Sequence, residues 1–188
     1  MNRILVVNVN WVGDVVFSIP VFKALRAFYP QAAISCLAVP RVKPILENCP
    51  FIDEIIVYDE KGKHAAPWGK WNIIAQLRKR KFDAAFLLHG SWTRALLVFF
   101  AGIPERVGYG TKGRERLLTH VVSPFSEKRH RSDHYLNVIE SYGVPVHDRG
   151  YELTISTQAM SEVNALLSNE GIAASDTSSR LISAGIGI

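Results

Sequence analysis

The sequence is poor in the residues that tie small extracellular domains or metal centres together. Among its 188 residues only two are cysteines, Cys36 and Cys49. They do not form a C-x-x-C pair and no histidine cluster lies near them, so the pattern favours neither a disulfide framework nor a metal site. This sparse use of cysteine is typical of a reducing compartment, and we expect a cytoplasmic protein.

Long apolar runs are also missing. The first run, residues 4–7, is too short for the core of a signal peptide, and the polar residues Asn8, Asn10 and Asp14 soon follow it. No stretch reaches the length needed to span a membrane. The composition, with 48% hydrophobic and 21% charged residues, instead predicts a folded α/β domain with a substantial core.

Acidic residues are fewer than basic ones, with 17 Asp and Glu against 22 Lys and Arg and a net charge of +5. This excess indicates an anionic partner, which could be nucleic acid, a phospholipid surface or a phosphorylated substrate. Nucleic acid is disfavoured because basic and aromatic residues do not interleave on one strand or helix. Many of the cations fall in three loop-like segments: Lys61, Lys63 and Lys70; Lys112, Arg114 and Arg116; Lys128, Arg129 and Arg131.

Apolar stretches with strand and helix periodicity alternate along the chain. Strands are predicted at residues 4–8, 33–39, 54–58, 84–88, 106–109 and 117–122. Helices are predicted at residues 15–29, 41–47, 68–79, 92–101, 130–142 and 158–171, with a kink or restart of the first at Pro20. This rhythm predicts an α/β fold with a Rossmann-like, doubly wound and mainly parallel sheet.

A lone carboxylate, Asp14, follows the first strand in the segment N-V-N-W-V-G-D. Gly13 is expected to let the backbone turn sharply and approach a ligand, and the amides at the start of the next helix favour negative charge. Because ligands of such sheets bind at the carboxyl ends of the strands, Asp14 is a candidate general base. The alternative is that Asp14 only caps the first helix.

Three other sequence patterns are weaker indications of a functional site. His130 and His134 stand four residues apart but lack a third ligand, so no metal site is predicted. Gly108-Tyr109-Gly110 is only a fragment of a dinucleotide fingerprint and does not follow the first strand, so NAD is not predicted. Trp68 and Trp71 are interpreted as seating the helix that they begin rather than stacking on a sugar.

The end of the sequence indicates a change of domain. An amphipathic helix at residues 158–171 is followed by a polar stretch and then by an apolar, glycine-containing run at residues 181–188. We predict one domain at residues 1–155, a linker helix and polar connection at residues 156–180, and the first strand of a truncated second domain at residues 181–188.

Three segments carry a family resemblance: I-L-V-V-x-x-x-W-V-G-D at residues 4–14, F-F-A-G-I-P-E-R-V-G-Y at residues 99–109, and G-R-E-R-L-L at residues 113–118. Together they resemble the amino-terminal half of glycosyltransferase family 9, the ADP-heptose:lipopolysaccharide heptosyltransferases. The W-V-G-D and F-F-A-G-I-P segments are most similar to the type II members, which add the second inner-core heptose. The resemblance implies a GT-B architecture of two Rossmann-like domains, the first facing the acceptor and the second holding ADP-heptose.

The resemblance also implies a reaction. It is the inverting transfer of heptose from ADP-heptose to a heptosyl-Kdo-lipid A acceptor in lipopolysaccharide inner-core biosynthesis, with Asp14 as the general base and without a metal or other cofactor. The 188 residues would supply the acceptor half and be inactive alone. Two alternatives remain: a non-catalytic module that binds anionic glycolipid, and a phosphate- or nucleotide-binding Rossmann-like domain.

The acceptor carries carboxylates and phosphates, which basic side chains can grip. Arg114 matches the arginine before the glutamate of the family's acceptor-facing loop, although a solvated surface arginine would look the same. The 59–71 connection resembles a mobile acceptor loop, and peripheral contact with the inner membrane is expected. The predicted acceptor-binding residues are Trp11, Gly13, Lys61, Lys63, Lys70, Thr93, Arg94 and Arg114.

Overall fold

The computed structural model of the chain describes residues 1–111, 113–127, 129–152, 154 and 157–169. Within these residues the strands are β1 Arg3–Val7, β2 Ala33–Ala38, β3 Glu54–Val57, β4 Ala84–Leu87, β5 Glu105–Tyr109 and β6 His120–Val122. The helices are α1 Val12–Phe28, α2 Lys43–Leu46, α3 Pro67–Arg80, α4 Trp92–Phe100, α5 Arg131–Glu140 and α6 Thr157–Asn169. Short 3-10 turns occupy Pro40–Val42 and Arg114–Leu117.

The strands form one sheet in the order β3-β2-β1-β4-β5-β6, and every pair is parallel. The order reverses direction between β1 and β4, which is the point where doubly wound sheets open a crevice for ligands. Because all strands run the same way, the loops that follow β1, β3, β4 and β5 meet at one edge of the sheet. The predicted doubly wound, mainly parallel fold is confirmed.

Both faces of the sheet are covered by helices. In β1, Ile4 and Val6 belong to an apolar cluster with residues of α1 and α5, whereas Leu5 and Val7 belong to a second cluster with residues of α3 and α4. Successive strand residues point to opposite faces, so a strand buried on both sides must be apolar throughout. This explains the continuous apolar run at the start of the sequence.

Two details differ from the sequence-based expectation. The first helix does not restart at Pro20, because α1 runs through it without interruption. Proline removes one backbone hydrogen bond, and the burial of Ile19, Val21 and Phe22 around it stabilises the helix against that loss. The last predicted strand is shorter than expected, since Arg114–Leu117 forms a 3-10 turn and β6 begins at His120.

At the end of the chain, α6 confirms a helix in the region predicted at residues 158–171. The polar stretch and the apolar run at residues 181–188 lie outside the described residues, so the three domain boundaries stay predictions. No helix in the described part of the chain is long and apolar enough to cross a membrane.

Candidate active site

Asp14 lies in the first turn of α1, at the carboxyl edge of β1. The residue in the capping position is Trp11, three residues earlier, and its side chain makes no capping hydrogen bond. The Asp14 carboxylate instead points toward α5, where its Oδ1 accepts a hydrogen bond of 3.2 Å from Arg131 Nε. The side chain is 19% exposed. The structure therefore disfavours the helix-cap alternative and leaves the carboxylate partly open to solvent.

Tyr135, one turn after Arg131 on α5, is the second partner of Asp14. Burial, followed by the negative charge of Asp14 and a hydrogen bond with it, raises the pKa of the Tyr135 hydroxyl. A phenol with a raised pKa stays protonated and can donate a hydrogen bond to the carboxylate. Arg131 and Tyr135 thus fix the orientation of Asp14 from a helix more than 110 residues away in sequence.

Gly13 does not occupy the sharp turn that the sequence indicated. It lies inside the first turn of α1, and it is not among the glycines with a positive φ angle in the described residues. A Cβ atom at this position would meet no atom within 4 Å. The backbone conformation therefore does not require glycine, and that expectation is wrong; the open space beside Gly13 leaves the expected approach of a ligand as a prediction.

Arg94 is buried at the start of α4, with only 1% of its side chain exposed. Its Nη1 donates to the Asn8 carbonyl and its Nη2 to Asn10 Oδ1, both at 2.6 Å. Glu60 Oε2 lies 3.5 Å from Nη2, and Glu60 Oε1 accepts a hydrogen bond from Asn10 Nδ2. Arg94 was predicted to bind the acceptor. In the structure its hydrogen bonds instead join the turns that follow β1 and β3.

Arg114 is also completely buried. Its Nε donates to the Tyr109 carbonyl and its Nη1 to the His89 carbonyl, each at 2.7 Å. Nη2 has no hydrogen-bond partner among the described residues, and it faces Gly108, where a Cβ atom would lie 3.4 Å away. The alternative of a solvated surface arginine is wrong, because Arg114 ties the ends of β4 and β5 together from inside.

A cavity of about 400 Å³ opens at the carboxyl ends of β1, β2 and β3. It brings together two predicted residues, Trp11 and Lys61. The Arg41 guanidinium lies 4.4 Å from the centre of the Trp11 ring, and Arg41 Nε donates to the Asn10 carbonyl at 2.7 Å. The cavity is lined by Asn10, Trp11, Val39, Pro40, Arg41, Asp59, Glu60 and Lys61. Paired carboxylates and cations beside an exposed indole can hydrogen bond and stack with a polyhydroxy ring.

The loop between β3 and α3 is held by hydrogen bonds that its backbone amides donate to the side chains of Asp59 and His64. Asp59 Oδ1 accepts from the Gly62 N–H at 2.9 Å and Oδ2 from the Lys63 N–H at 3.1 Å. His64 Nδ1 accepts from the Asp59 N–H at 3.0 Å. Lys61 and Lys63 are exposed on this loop, whereas Lys70 is half-buried and lies in α3. The structure therefore presents the two loop lysines to solvent next to the cavity.

The prediction that Trp68 and Trp71 seat the helix that they begin is only partly confirmed. Trp68 is 79% exposed, and Trp71 is 58% exposed while its ring packs against Phe100 of α4 at 6.1 Å. Trp68 therefore does not seat α3 in the core, as its sequence context suggested. The helix is seated by Ile73, Ile74 and Leu77 instead.

His89, in the turn after β4, is uncharged at neutral pH, and its ring can donate a hydrogen bond. Burial, together with the charge of Arg94, lowers the pKa of its imidazole to about 4, against the opposing charges of Glu60 and Asp14. Its Nδ1 accepts from the Ser91 N–H at 3.0 Å, so the proton resides on Nε2. Thr93, in the first turn of α4, is exposed nearby.

The lowered pKa of His89 makes stability fall in acid. Between pH 6.5 and about 4 the unfolded imidazole binds a proton that the folded one does not, so the free energy of unfolding decreases as pH falls through this window. His89→Gln should remove up to about 3 kcal/mol of that pH dependence. Denaturant unfolding of the parent and the variant at pH 7 and pH 4.5 measures this effect. If the free energy of unfolding fell by the same amount in both proteins between these pH values, the assignment would be contradicted.

The two histidines at metal-ligand spacing have other partners. His130 caps α5 by accepting from the Ser132 N–H, and the His134 ring stacks on Tyr109 at 4.1 Å. No group of three His, Cys, Asp or Glu side chains suited to a metal comes together in the described ranges. Gly108 and Tyr109 belong to β5, the fifth strand, and not to a phosphate-binding turn after β1.

Some partners at this edge were not predicted from sequence. Glu60 was missed although it lies three residues after β3, in the turn where site residues are expected. Arg131 was noted only as part of a basic segment, and Tyr135 was not noted. Their spacing of four residues places them on one face of a helix, but nothing local indicates that this face meets Asp14.

Comparison with known proteins identifies the family of this chain. The family model described as glycosyltransferase family 9 (heptosyltransferase) matches residues 70–167, just over half of the chain. The chain belongs to glycosyltransferase family 9. Lipopolysaccharide heptosyltransferase 2 of Escherichia coli (strain K12) is 37% identical over 120 residues, which cover 63% of this chain and 34% of that protein. Its counterpart in Salmonella typhimurium (strain LT2) is 36% identical over 117 residues, 62% of this chain and 33% of the relative.

Solved family 9 structures share the fold. A glycosyl transferase family 9 protein from Veillonella parvula DSM 2008 superposes with a TM-score of 0.84 at 26% identity, over 92% of this chain and 51% of that one. The ADP-heptose lps heptosyltransferase II of E. coli superposes with a TM-score of 0.69 at 24% identity, also over 92% and 51%. The chain thus spans about a third to a half of the length of the family 9 proteins that it matches.

Proposed function

We propose that this chain supplies the acceptor side of a family 9 heptosyltransferase of lipopolysaccharide inner-core biosynthesis. The enzyme would transfer heptose from ADP-heptose to a heptosyl-Kdo-lipid A acceptor with inversion. The observation that carries the proposal is the partly exposed Asp14 carboxylate, held by Arg131 at the carboxyl edge where the strand order reverses. The identity of 37% with an E. coli protein named lipopolysaccharide heptosyltransferase 2 supports the choice of substrates.

In the proposed reaction, the acceptor hydroxyl oxygen bonds to the anomeric carbon of heptose as the bond from that carbon to ADP breaks. The proton of the hydroxyl passes to Asp14, and the leaving ADP departs from the opposite face, which inverts the configuration. A carboxylate within hydrogen-bond reach of the hydroxyl is a suitable base for this step. Arg131 and Tyr135 contribute by keeping the carboxylate in one orientation.

Six of the eight predicted acceptor residues, all except Gly13 and Lys70, divide into two groups. Trp11, Lys61, Lys63 and Thr93 are exposed, and Trp11 and Lys61 line the cavity, so these side chains would contact the anionic glycolipid directly. Arg94 and Arg114 are buried and hydrogen bonded to carbonyl groups of the surrounding turns. They would act by holding those turns in place rather than by gripping the acceptor.

Donor binding would require a second domain. The chain covers about half of the solved family 9 structures, and both donor affinity and stabilisation of departing ADP would come from the other half. Because holding two substrates together supplies much of the rate, we expect the 188 residues alone to show no measurable transfer. The working site would be the cytoplasm, with peripheral contact at the inner membrane.

Acceptor binding by the 188-residue chain tests this function. Heptosyl-Kdo-lipid A in detergent should bind, and Lys61→Ala with Lys63→Ala should weaken binding roughly tenfold because two charge-assisted contacts are lost. Lys81→Ala, at the end of α3 on the opposite edge of the sheet, is the matched control and should leave the affinity unchanged. Binding of ADP or inorganic phosphate in preference to the glycolipid would instead favour a nucleotide-binding domain and overturn the proposal.

A further inference from the structure

All four tryptophans of this chain are more than a third exposed, which is unusual for the largest apolar side chain. Trp11 lines the cavity and Trp92 begins α4 beside the proposed site. The other two, Trp68 and Trp71, lie on α3, which packs on the face of the sheet opposite α1. The proposed function gives no role to Trp68 and Trp71.

These two residues are part of a larger apolar surface on the outer side of α3 and α4. The Trp71 ring lies 6.1 Å from the Phe100 ring, and the Phe100 ring lies 5.5 Å from the Phe99 ring. Trp68 precedes Trp71 by three residues and so shares its helix face. Phe99 and Phe100 are 41% and 43% exposed. We call Trp68, Trp71, Phe99 and Phe100 the α3–α4 aromatic surface.

The charge around this surface is mostly positive. Residues 61–104 contain eight Lys and Arg residues, of which Arg94 is buried and Arg80 is paired with Glu54, and one acidic residue, Asp83. Neither α3 nor α4 contains Asp or Glu. Arg78 and Lys79 are exposed on α3, and the Arg78 guanidinium donates to the Phe100 carbonyl. The Arg106 guanidinium lies 5.4 Å from the centre of the Phe99 ring. The aromatic rings are therefore edged by cations.

We propose that the α3–α4 aromatic surface docks onto an anionic phospholipid bilayer. Tryptophan rings are favoured at the boundary between headgroups and acyl chains, and clustered Lys and Arg side chains are attracted to acidic headgroups. A protein partner of matching shape would need acidic side chains around an apolar centre. A bilayer supplies both properties over any area, which suits a surface built from separate rings on two helices.

The surface adjoins the loop that carries Lys61 and Lys63, since α3 begins directly after that loop. Docking would therefore bring the proposed acceptor-binding residues close to the lipid surface. Only this consequence rests on the proposed function. Binding to vesicles that contain no lipopolysaccharide depends on the aromatic surface alone, so the two proposals fail separately.

Vesicle flotation with the 188-residue chain tests the docking. Vesicles of phosphatidylethanolamine with phosphatidylglycerol should bind the chain, and vesicles of phosphatidylcholine alone should bind it at least roughly tenfold more weakly. Trp68→Ala with Trp71→Ala should lower binding to the anionic vesicles at least about tenfold. Phe28→Ala, which removes an exposed aromatic ring from α1 on the other face of the sheet, is the matched control and should change it less than twofold.

Circular dichroism and thermal unfolding of the variants establish that they fold, and both tryptophans are exposed enough for truncation to leave the core intact. Arg78→Glu with Lys79→Glu gives an independent measurement, because it leaves the rings in place and should also weaken binding. Absence of binding to anionic vesicles, or equal binding by the tryptophan variant, would overturn the proposal. So would sedimentation showing a dimer that the tryptophan substitutions dissociate, since the surface would then be covered by a second copy.

Discussion

Replacing Asp14 by asparagine is expected to lower kcat for heptose transfer by roughly 100- to 10,000-fold. The measurement uses the chain fused to the carboxyl-terminal domain of a family 9 relative, which supplies the donor site. The amide keeps the size of the side chain and can still accept a hydrogen bond from Arg131, but it cannot take the proton of the acceptor hydroxyl. Acceptor affinity should therefore change little while turnover collapses.

A matched carboxylate on α5 provides the control. Asp133 is also partly exposed and pairs with an arginine, since its Oδ1 lies 2.7 Å from Arg149 Nη1. Asp133→Asn should leave kcat within twofold of the parent fusion. If the Asp14 and Asp133 variants retained equal turnover, Asp14 would not be the base, and another group would have to take the proton of the acceptor hydroxyl.

Truncating Arg94 to alanine is expected to destabilise the fold by about 3–5 kcal/mol. The change removes the donors to the Asn8 carbonyl and to Asn10 Oδ1, opens a cavity under α4 and leaves Glu60 without its cation. For a domain of this size that loss corresponds to a decrease in Tm of roughly 10 °C. Thermal unfolding of the 188-residue chain is the measurement.

Arg78 provides the control for the Arg94 prediction. Arg78→Ala removes an exposed arginine from α3 and should cost less than about 1 kcal/mol. If Arg94 instead bound acceptor anions at the surface, as the sequence suggested, its truncation would leave Tm unchanged and weaken acceptor binding. A Tm within 2 °C of the parent would therefore contradict the buried arrangement.

The strands and helices were largely predictable because the spacing of apolar residues along the chain reflects which faces of each element are buried. The apolar run at the start of the chain could be assigned to a strand covered on both faces, and Asp14 followed at the end where such sheets bind ligands. The restart predicted at Pro20 was wrong because a local rule on helix breaking does not include the packing of Ile19 and Phe22 around it. The start of β6 was likewise predicted three residues too early, because Leu117 and Leu118 extend its apolar pattern.

The side-chain arrangement of the site was less predictable. Arg94 occurs in W-T-R-A-L-L, where an arginine could equally face solvent, and its partners Asn8 and Asn10 are more than 80 residues away in sequence. Arg114 is buried only because Tyr109 and His89 present their carbonyl groups to it. Long-range partners of this kind depend on the tertiary fold, so residue type and spacing could not indicate that Arg94 and Arg114 are buried.

The central claim is that this chain forms the acceptor half of a heptosyltransferase. The most direct measurement is transfer from ADP-heptose to heptosyl-Kdo-lipid A by the 188-residue chain and by the same chain fused to a family 9 carboxyl-terminal domain. We expect transfer by the fusion, with inversion at the anomeric carbon, and none by the chain alone. A folded fusion that binds both substrates and transfers no heptose would contradict the claim.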